Sequence, residues 1–114
     1  MSTADPVAQA RVREVAPVFA ALGDETRLKL VVRLCAGGPL SITNLSARSV
    51  VSRQAITKHL EVLSEAGLVR SSRRGRERIW ELQPKRLEDA QRYLDRISEQ
   101  WDDALDRLKK FVER

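Results

Sequence analysis

Apolar positions along the chain fall into blocks with different periods. From Val7 onward, Val12, Val15, Phe19 and Leu22 recur at spacings of three and four, the pattern of one face of an amphipathic helix. Pro17 interrupts this block, and either kinks the helix or takes the first position of a second short one. Gly23 closes the segment. Asp24 is placed to cap a second helix, of which Leu28, Val31, Val32 and Cys35 read as one apolar face, and Gly37, Gly38 and Pro39 end it. Residues 1 to 6 carry no periodic signal and are expected to be frayed.

Two further helices follow at close range. Ser41 caps a short one, with Ile42 and Leu45 inward, and the connection RSVV leads to Ser52, which caps a longer one reaching Ala66. Gly67 supplies its C′ residue. Two helices joined by so tight a turn over residues 41–66 form a helix-turn-helix. The period then changes from helical to extended. LVRSS and ERIWEL flank RRGR, where Gly75 offers the positive φ of a hairpin turn, so residues 67–83 read as a two-stranded wing.

Pro84 breaks the chain, and residues 85–113 read as one long helix. Leu87, Leu94, Trp101 and Leu108 repeat every seven residues, as do Ala90, Ile97, Ala104 and Phe111, an a/d heptad pattern. At 1.5 Å per residue this helix is roughly 40 Å long, more than a domain of this size covers with its own residues. Its seam therefore calls for a partner, and an identical chain is the simplest one. The expected fold is a single mainly α domain over residues 1–114, a winged helix-turn-helix with five to six helices and a small β-hairpin.

Composition narrows the class. With 42% hydrophobic and 32% charged residues the chain has material for one core and stays solvated. No apolar run approaches the roughly 18 residues of a membrane span, and the opening residues lack the apolar core of a signal peptide, so no membrane association and a cytoplasmic location are expected. Aromatics reach only 4%, which leaves base stacking a minor device. Cys35 is the single cysteine; lying in LKLVVRLC, it reads as a buried structural thiol rather than a redox sensor.

The net charge of +5 becomes informative once it is located. Between Arg48 and Arg78 eight basic residues face three acidic ones, so the whole excess lies in under a third of the chain and the remainder cancels. That is the footprint of a polyanion-binding surface.

Wound at 3.6 residues per turn, SRQAITKHLEVLSEA turns Ile56, Leu60 and Leu63 inward and Arg53, Gln54, Thr57, Lys58 and Glu61 outward. The free N–H groups after Ser52 suit a phosphate. Arg53 has the fork to bind guanine O6 and N7, Gln54 pairs with adenine N6 and N7, and Thr57 and Lys58 lie one turn on, within reach of bases or backbone. His59, the lone histidine, has no ligand-spaced companions and reads as a phosphate contact or as a packed, hydrogen-bonded group rather than a metal ligand. Arg73, Arg74 and Arg76 surround Gly75 at the wing tip, where arginines lie along the DNA backbone or enter a narrow minor groove. Trp80 reads as packing the hairpin onto the core. These assignments give Ser52, Arg53, Gln54, Thr57, Lys58, His59, Arg73, Arg74 and Arg76 as the expected contacts with double-stranded DNA.

LGDETRLKLVVRL, SRQAITKHLEVLSEAGLV and RRGRERIWEL, in this order and spacing, resemble the arsenical-resistance-repressor (ArsR) family of winged helix-turn-helix repressors over roughly residues 15–84. The resemblance implies a homodimer packed through its first and last helices, with Val15, Phe19, Leu87, Leu94, Ile97, Trp101 and Leu108 at the interface. It also implies repression by occupying an operator and release by an inducer. Metal-sensing members carry paired cysteines where this chain has Ser41 and Thr43, and others place ligands on the last helix, where residues 85–114 hold no histidine. No metal and no cofactor are expected. The effector stays open between an unidentified small organic molecule, a redox signal at Cys35, a partner protein and none. Val50 stands in the turn where glycine is common.

Two functions fit these residues. One is a homodimeric repressor that reads an inverted-repeat operator; the other is a winged module whose basic strip meets an acidic protein. Catalysis is not expected, because the sequence offers no Gly-rich phosphate loop and no nucleophile, histidine and acid set.

Overall fold

The computed structural model describes residues 6–113, with side chains from Arg11. Eight elements follow in order: α1 (Pro6–Leu22), α2 (Glu25–Gly37), β1 (Leu40–Ser41), α3 (Ile42–Ser46), α4 (Arg53–Glu65), β2 (Val69–Arg74), β3 (Glu77–Leu82) and α5 (Pro84–Val112). Apart from Pro6, which opens α1, the segment expected to be frayed lies outside the described residues. α1 runs through Pro17 as one helix, so the described residues form five helices: the ring removes one backbone donor, and the turns on either side carry the helix on.

The capping residues do what their chemistry allows. Asp24 accepts from the Arg27 N–H, Ser41 from Asn44 and Ser52 from Ala55, each satisfying an otherwise unpaired donor of the first turn. Gly67, at φ +78°, ends α4 in the left-handed region; a Cβ there would stand 3.0 Å from the Arg86 side chain.

One apolar core joins the elements. Val18 and Ala21 of α1, Leu34 of α2, Leu45 of α3, Ile56, Leu60 and Leu63 of α4, and Leu68, Val69 and Trp80 of the wing meet in it. The inward face of α4 agrees with its sequence pattern. So does Trp80, which is 3% exposed.

The face of α2 agrees only at Val31. Leu30, Val31 and Leu34 are buried, whereas Leu28, Val32 and Cys35 are exposed. The run LKLVVRLC carries two apolar stripes about 110° apart around the helix, and the packing of α1, α4 and β3 selects the other one. Cys35 is thus a surface thiol, contrary to expectation.

The wing is also larger than a hairpin. β2 and β3 pair antiparallel, Val69 opposite Leu82 through Arg74 opposite Glu77, and β1 adds a third strand with Leu40 opposite Trp80 and Ser41 opposite Ile79. Two residues of strand leave no periodic trace, and Ser41 serves both as the last strand residue and as the cap of α3.

α5 packs its first half on α1, with Ala90 buried, Leu87 partly buried and the Tyr93 ring 6.4 Å from that of Phe19. Beyond that its apolar positions are uncovered: Leu94, Ile97, Trp101, Leu105, Leu108 and Phe111 are all exposed. No helix among the described residues is long and apolar enough to cross a membrane.

Candidate nucleic-acid interface

Short tethers fix the helix-turn-helix before any ligand arrives. Arg33 of α2 donates to the carbonyls of Leu45 and Asn44 at 2.9 and 3.0 Å, holding the end of α3. In the turn, Ser49 Oγ accepts from the Val51 N–H at 3.0 Å. Val51 packs on the core while Val50 is fully exposed. An open cavity of about 740 Å³ flanks this turn, lined by Leu30, Leu45, Val51, Ile56, Lys29 and Arg48 among others.

On α4, Arg53, Gln54 and Lys58 are exposed, and Thr57 is partly exposed beside them. Ser52 Oγ is occupied as the cap, and Thr57 Oγ1 donates to the Arg53 carbonyl at 3.0 Å, which leaves the Thr57 methyl and an oxygen lone pair for a ligand. Backbone N–H groups at the start of α4 remain open toward the same side.

His59 stands apart from this row. At about 100° per residue it lies roughly 140° around the helix from Gln54, and its Nδ1 is 3.3 Å from an Arg27 guanidinium nitrogen and 3.7 Å from Asp24 Oδ2. Of the two roles expected for it, its surroundings are those of a packed, hydrogen-bonded group. The Asp24 carboxyl is held below the usual range, first by the Arg27 backbone N–H and then by the Arg27 guanidinium, with desolvation opposing.

At the wing tip Gly75 has φ +62° and Arg76 a negative φ, the order of a type II′ hairpin turn, whose twist suits its strands. Arg73, Arg74 and Arg76 are exposed around it. Of the other cations in the sheet, Arg70 is neutralised locally by Glu81 at 2.5 Å, whereas Arg78 donates to Ser71 Oγ at 2.7 Å and keeps its charge. Among the described residues, positive charge without an ionic partner in this part of the chain therefore lies at the tip, on Arg78 beside it, on the outer row of α4 and on Arg48. Among the described residues, too, no three of His, Cys, Asp and Glu come together as a metal site.

The residues expected at the subunit interface are divided by the structure. Leu94, Ile97, Trp101 and Leu108 are exposed along α5, but Val15 is 6% exposed and Phe19 and Leu87 are half-buried within their own chain. Val12, outside that set, is an exposed apolar residue of α1; it sits one turn before Val15 in the same stripe.

Comparison with known proteins agrees with this architecture. A helix-turn-helix domain family matches residues 22–72. The HTH-type transcriptional regulator Rv2034 of Mycobacterium tuberculosis is 41% identical over 85 residues, 75% of this chain and 76% of that protein. Similar solved structures include an ArsR-like transcriptional regulator from Rhodococcus sp. RHA1, 41% identical with TM-score 0.74, covering 87% of this chain and 92% of that one. The homodimeric winged helix-turn-helix DNA-binding domain Mb0332 of Mycobacterium bovis shares the fold at TM-score 0.64 and 19% identity, over 87% of this chain and 91% of that one. With helix-turn-helix, wing and α1–α5 packing all in place, the chain belongs to the ArsR family of winged helix-turn-helix transcriptional regulators, DNA-binding proteins and not enzymes.

Proposed function

We propose that this regulator is a homodimeric repressor that occupies an inverted-repeat operator. The observation that carries the reading is the coincidence of charge and geometry: the full net charge of +5 falls between Arg48 and Arg78, and most of the cations there line the outer row of α4 and the hairpin tip. Arg53 and Gln54 lead into the major groove and read bases, Thr57 and Lys58 contact bases or backbone, Ser52 orders the helix start against a phosphate, and Arg73, Arg74 and Arg76 follow the adjacent backbone or minor groove.

The uncovered apolar row of α5 supports a second copy as partner, joined by Val12 on α1 and by the Leu28, Val32 and Cys35 stripe of α2. The Mycobacterium bovis fold relative is a homodimer. Twofold symmetry then gives half-sites about one helical turn apart.

Binding to labelled duplexes from the upstream regions of the source genome tests this. The expected result is preference for one inverted repeat, affinity that falls steeply with salt, and loss of sequence preference in Arg53→Ala and Gln54→Ala. Equal affinity for all duplexes would overturn it.

A further inference from the structure

We infer that His59 is a positioning residue: through Arg27 it fixes the recognition helix α4 to the end of α1, and so sets the placement of one recognition helix relative to the other. This rests on the dimeric, two-half-site reading above.

Arg27 is the hub of the junction. Its Nε donates to the Ala21 carbonyl at 2.6 Å and an Nη to that of Ala20 at 3.4 Å. These carbonyls lie in the last turn of α1, where helical donors run out; that of Ala20 also accepts from the Gly23 N–H at 3.3 Å. The other Nη lies 3.3 Å from His59 Nδ1. A guanidinium only donates, so Nδ1 is the acceptor and the imidazole proton sits on Nε2.

Asp24 completes the arrangement from the start of α2. Its Oδ2 accepts the Arg27 N–H at 3.0 Å and stands 3.7 Å from the same imidazole nitrogen. Three separate helices thus share one polar knot, and the contact on α4 is made by a residue turned away from the DNA-facing row. The His59 side chain is 24% exposed, too enclosed for a free surface contact.

The mechanical consequence follows from where α1 sits. α1 packs on α5, which carries the apolar seam, so the bridge links the dimerising elements to the reading element directly. The apolar contacts of Ile56, Leu60 and Leu63 resist separation of α4 from the core but tolerate rotation and sliding, because they have no preferred direction. A hydrogen bond from a fixed guanidinium does have one.

The test uses the full chain and the inverted repeat that wild-type protein selects from random duplexes. Affinity is measured on that repeat and on versions with one base pair added or removed between half-sites, for wild type, His59→Leu, His59→Asn, Arg27→Lys and the His59→Leu/Arg27→Lys pair. Thermal unfolding of each variant runs in parallel. The expected result for His59→Leu is a loss of roughly tenfold on the preferred spacing, a flattened spacing preference and an unchanged salt slope. His59→Asn, whose Oδ1 takes the place of Nδ1 as acceptor, restores both affinity and spacing preference. The pair is no worse than its worse single member.

Three results would overturn the inference. A salt slope reduced by about one with spacing preference intact makes His59 a phosphate contact. Affinity reduced equally at every spacing in proportion to lowered stability makes it a packing residue only, and failure of His59→Asn to restore spacing preference denies the hydrogen bond its role. Wild-type protein that selects no inverted repeat overturns the two-half-site reading itself, a failure recognisable because it precedes any substitution.

Discussion

Thr43 on α3 donates a 3.0 Å hydrogen bond to Glu77 Oε1 at the first position of β3. The bond ties the first helix of the helix-turn-helix to the wing two residues from Gly75, and it anchors the one carboxylate within the basic hairpin turn. The other Glu77 oxygen is buried without a partner, so the carboxylate depends on Thr43. Thr43→Val keeps the shape and removes the donor. We expect a loss of about 0.5–1.5 kcal/mol in stability and faster amide exchange at the hairpin tip, with the exchange of α4 unchanged. Equal protection of the tip in both proteins would show that strand pairing alone holds the wing.

Acid should act on the cap of α2. Asp24 in the folded chain titrates below its ordinary value, mainly because its carboxylate accepts the Arg27 backbone N–H. A depressed folded value means the charged form is favoured by folding. This contribution is complete above the unfolded value of about 3.9 and is lost as pH falls through the lower folded value. The asparagine introduced by Asp24→Asn still caps through its amide oxygen but does not titrate. Unfolding curves of wild type and Asp24→Asn should therefore differ above the unfolded value and converge as pH falls past the lower folded one; a difference that stays constant from neutral pH into strong acid would remove Asp24 from the acid response.

What the sequence revealed depended on whether the deciding physics was local. Ser52, Gly67 and the trio Ile56, Leu60 and Leu63 were legible because a cap, a left-handed turn and a helix phase are set within a few residues. The buried stripe of α2 was not legible, because LKLVVRLC presents both Leu30, Val31 and Leu34 and Leu28, Val32 and Cys35, and only the neighbouring helices decide between them. β1 escaped because its two residues become a strand only when Trp80 and Ile79 arrive opposite them. Among the candidate site residues the outer row of α4 followed from periodicity. The surroundings of His59 did not, because its partner Arg27 is 32 residues away.

The wing arginines and the residues of α4 should separate by their salt response. Arg73, Arg74 and Arg76 sit on a hairpin that presents no other DNA-directed group, so we expect them to contribute charge without sequence preference. Replacing all three with glutamine should weaken binding to every duplex alike. It should also lower the slope of log affinity against log salt by about 0.9 for each phosphate that the wing no longer neutralises. Titrations of wild type and variant at several salt concentrations decide this. A variant that keeps its slope but changes which base pairs are preferred would place the wing in the groove as a reader.

The distal half of α5 makes the sharpest demand on a partner. Trp101 is 65% and Leu108 59% exposed, one heptad apart and beyond the reach of α1. A lone helix of this length is marginal in water without a packed face, so these residues should be covered in the working protein. Introducing a charge at each, Trp101→Glu with Leu108→Glu, removes little from the folded monomer because neither side chain is in its core. It should nevertheless convert a dimer to a monomer in sedimentation at micromolar concentration, lower the helical signal of the unsupported turns, and reduce affinity for a full inverted repeat to that for a single half-site. Single-site affinity should stay close to wild type, since Arg53 and Gln54 are untouched. If the doubly substituted protein still sediments as a dimer, the interface lies instead on the exposed stripe of α2, and Leu28→Glu with Val32→Glu becomes the substitution that separates the subunits.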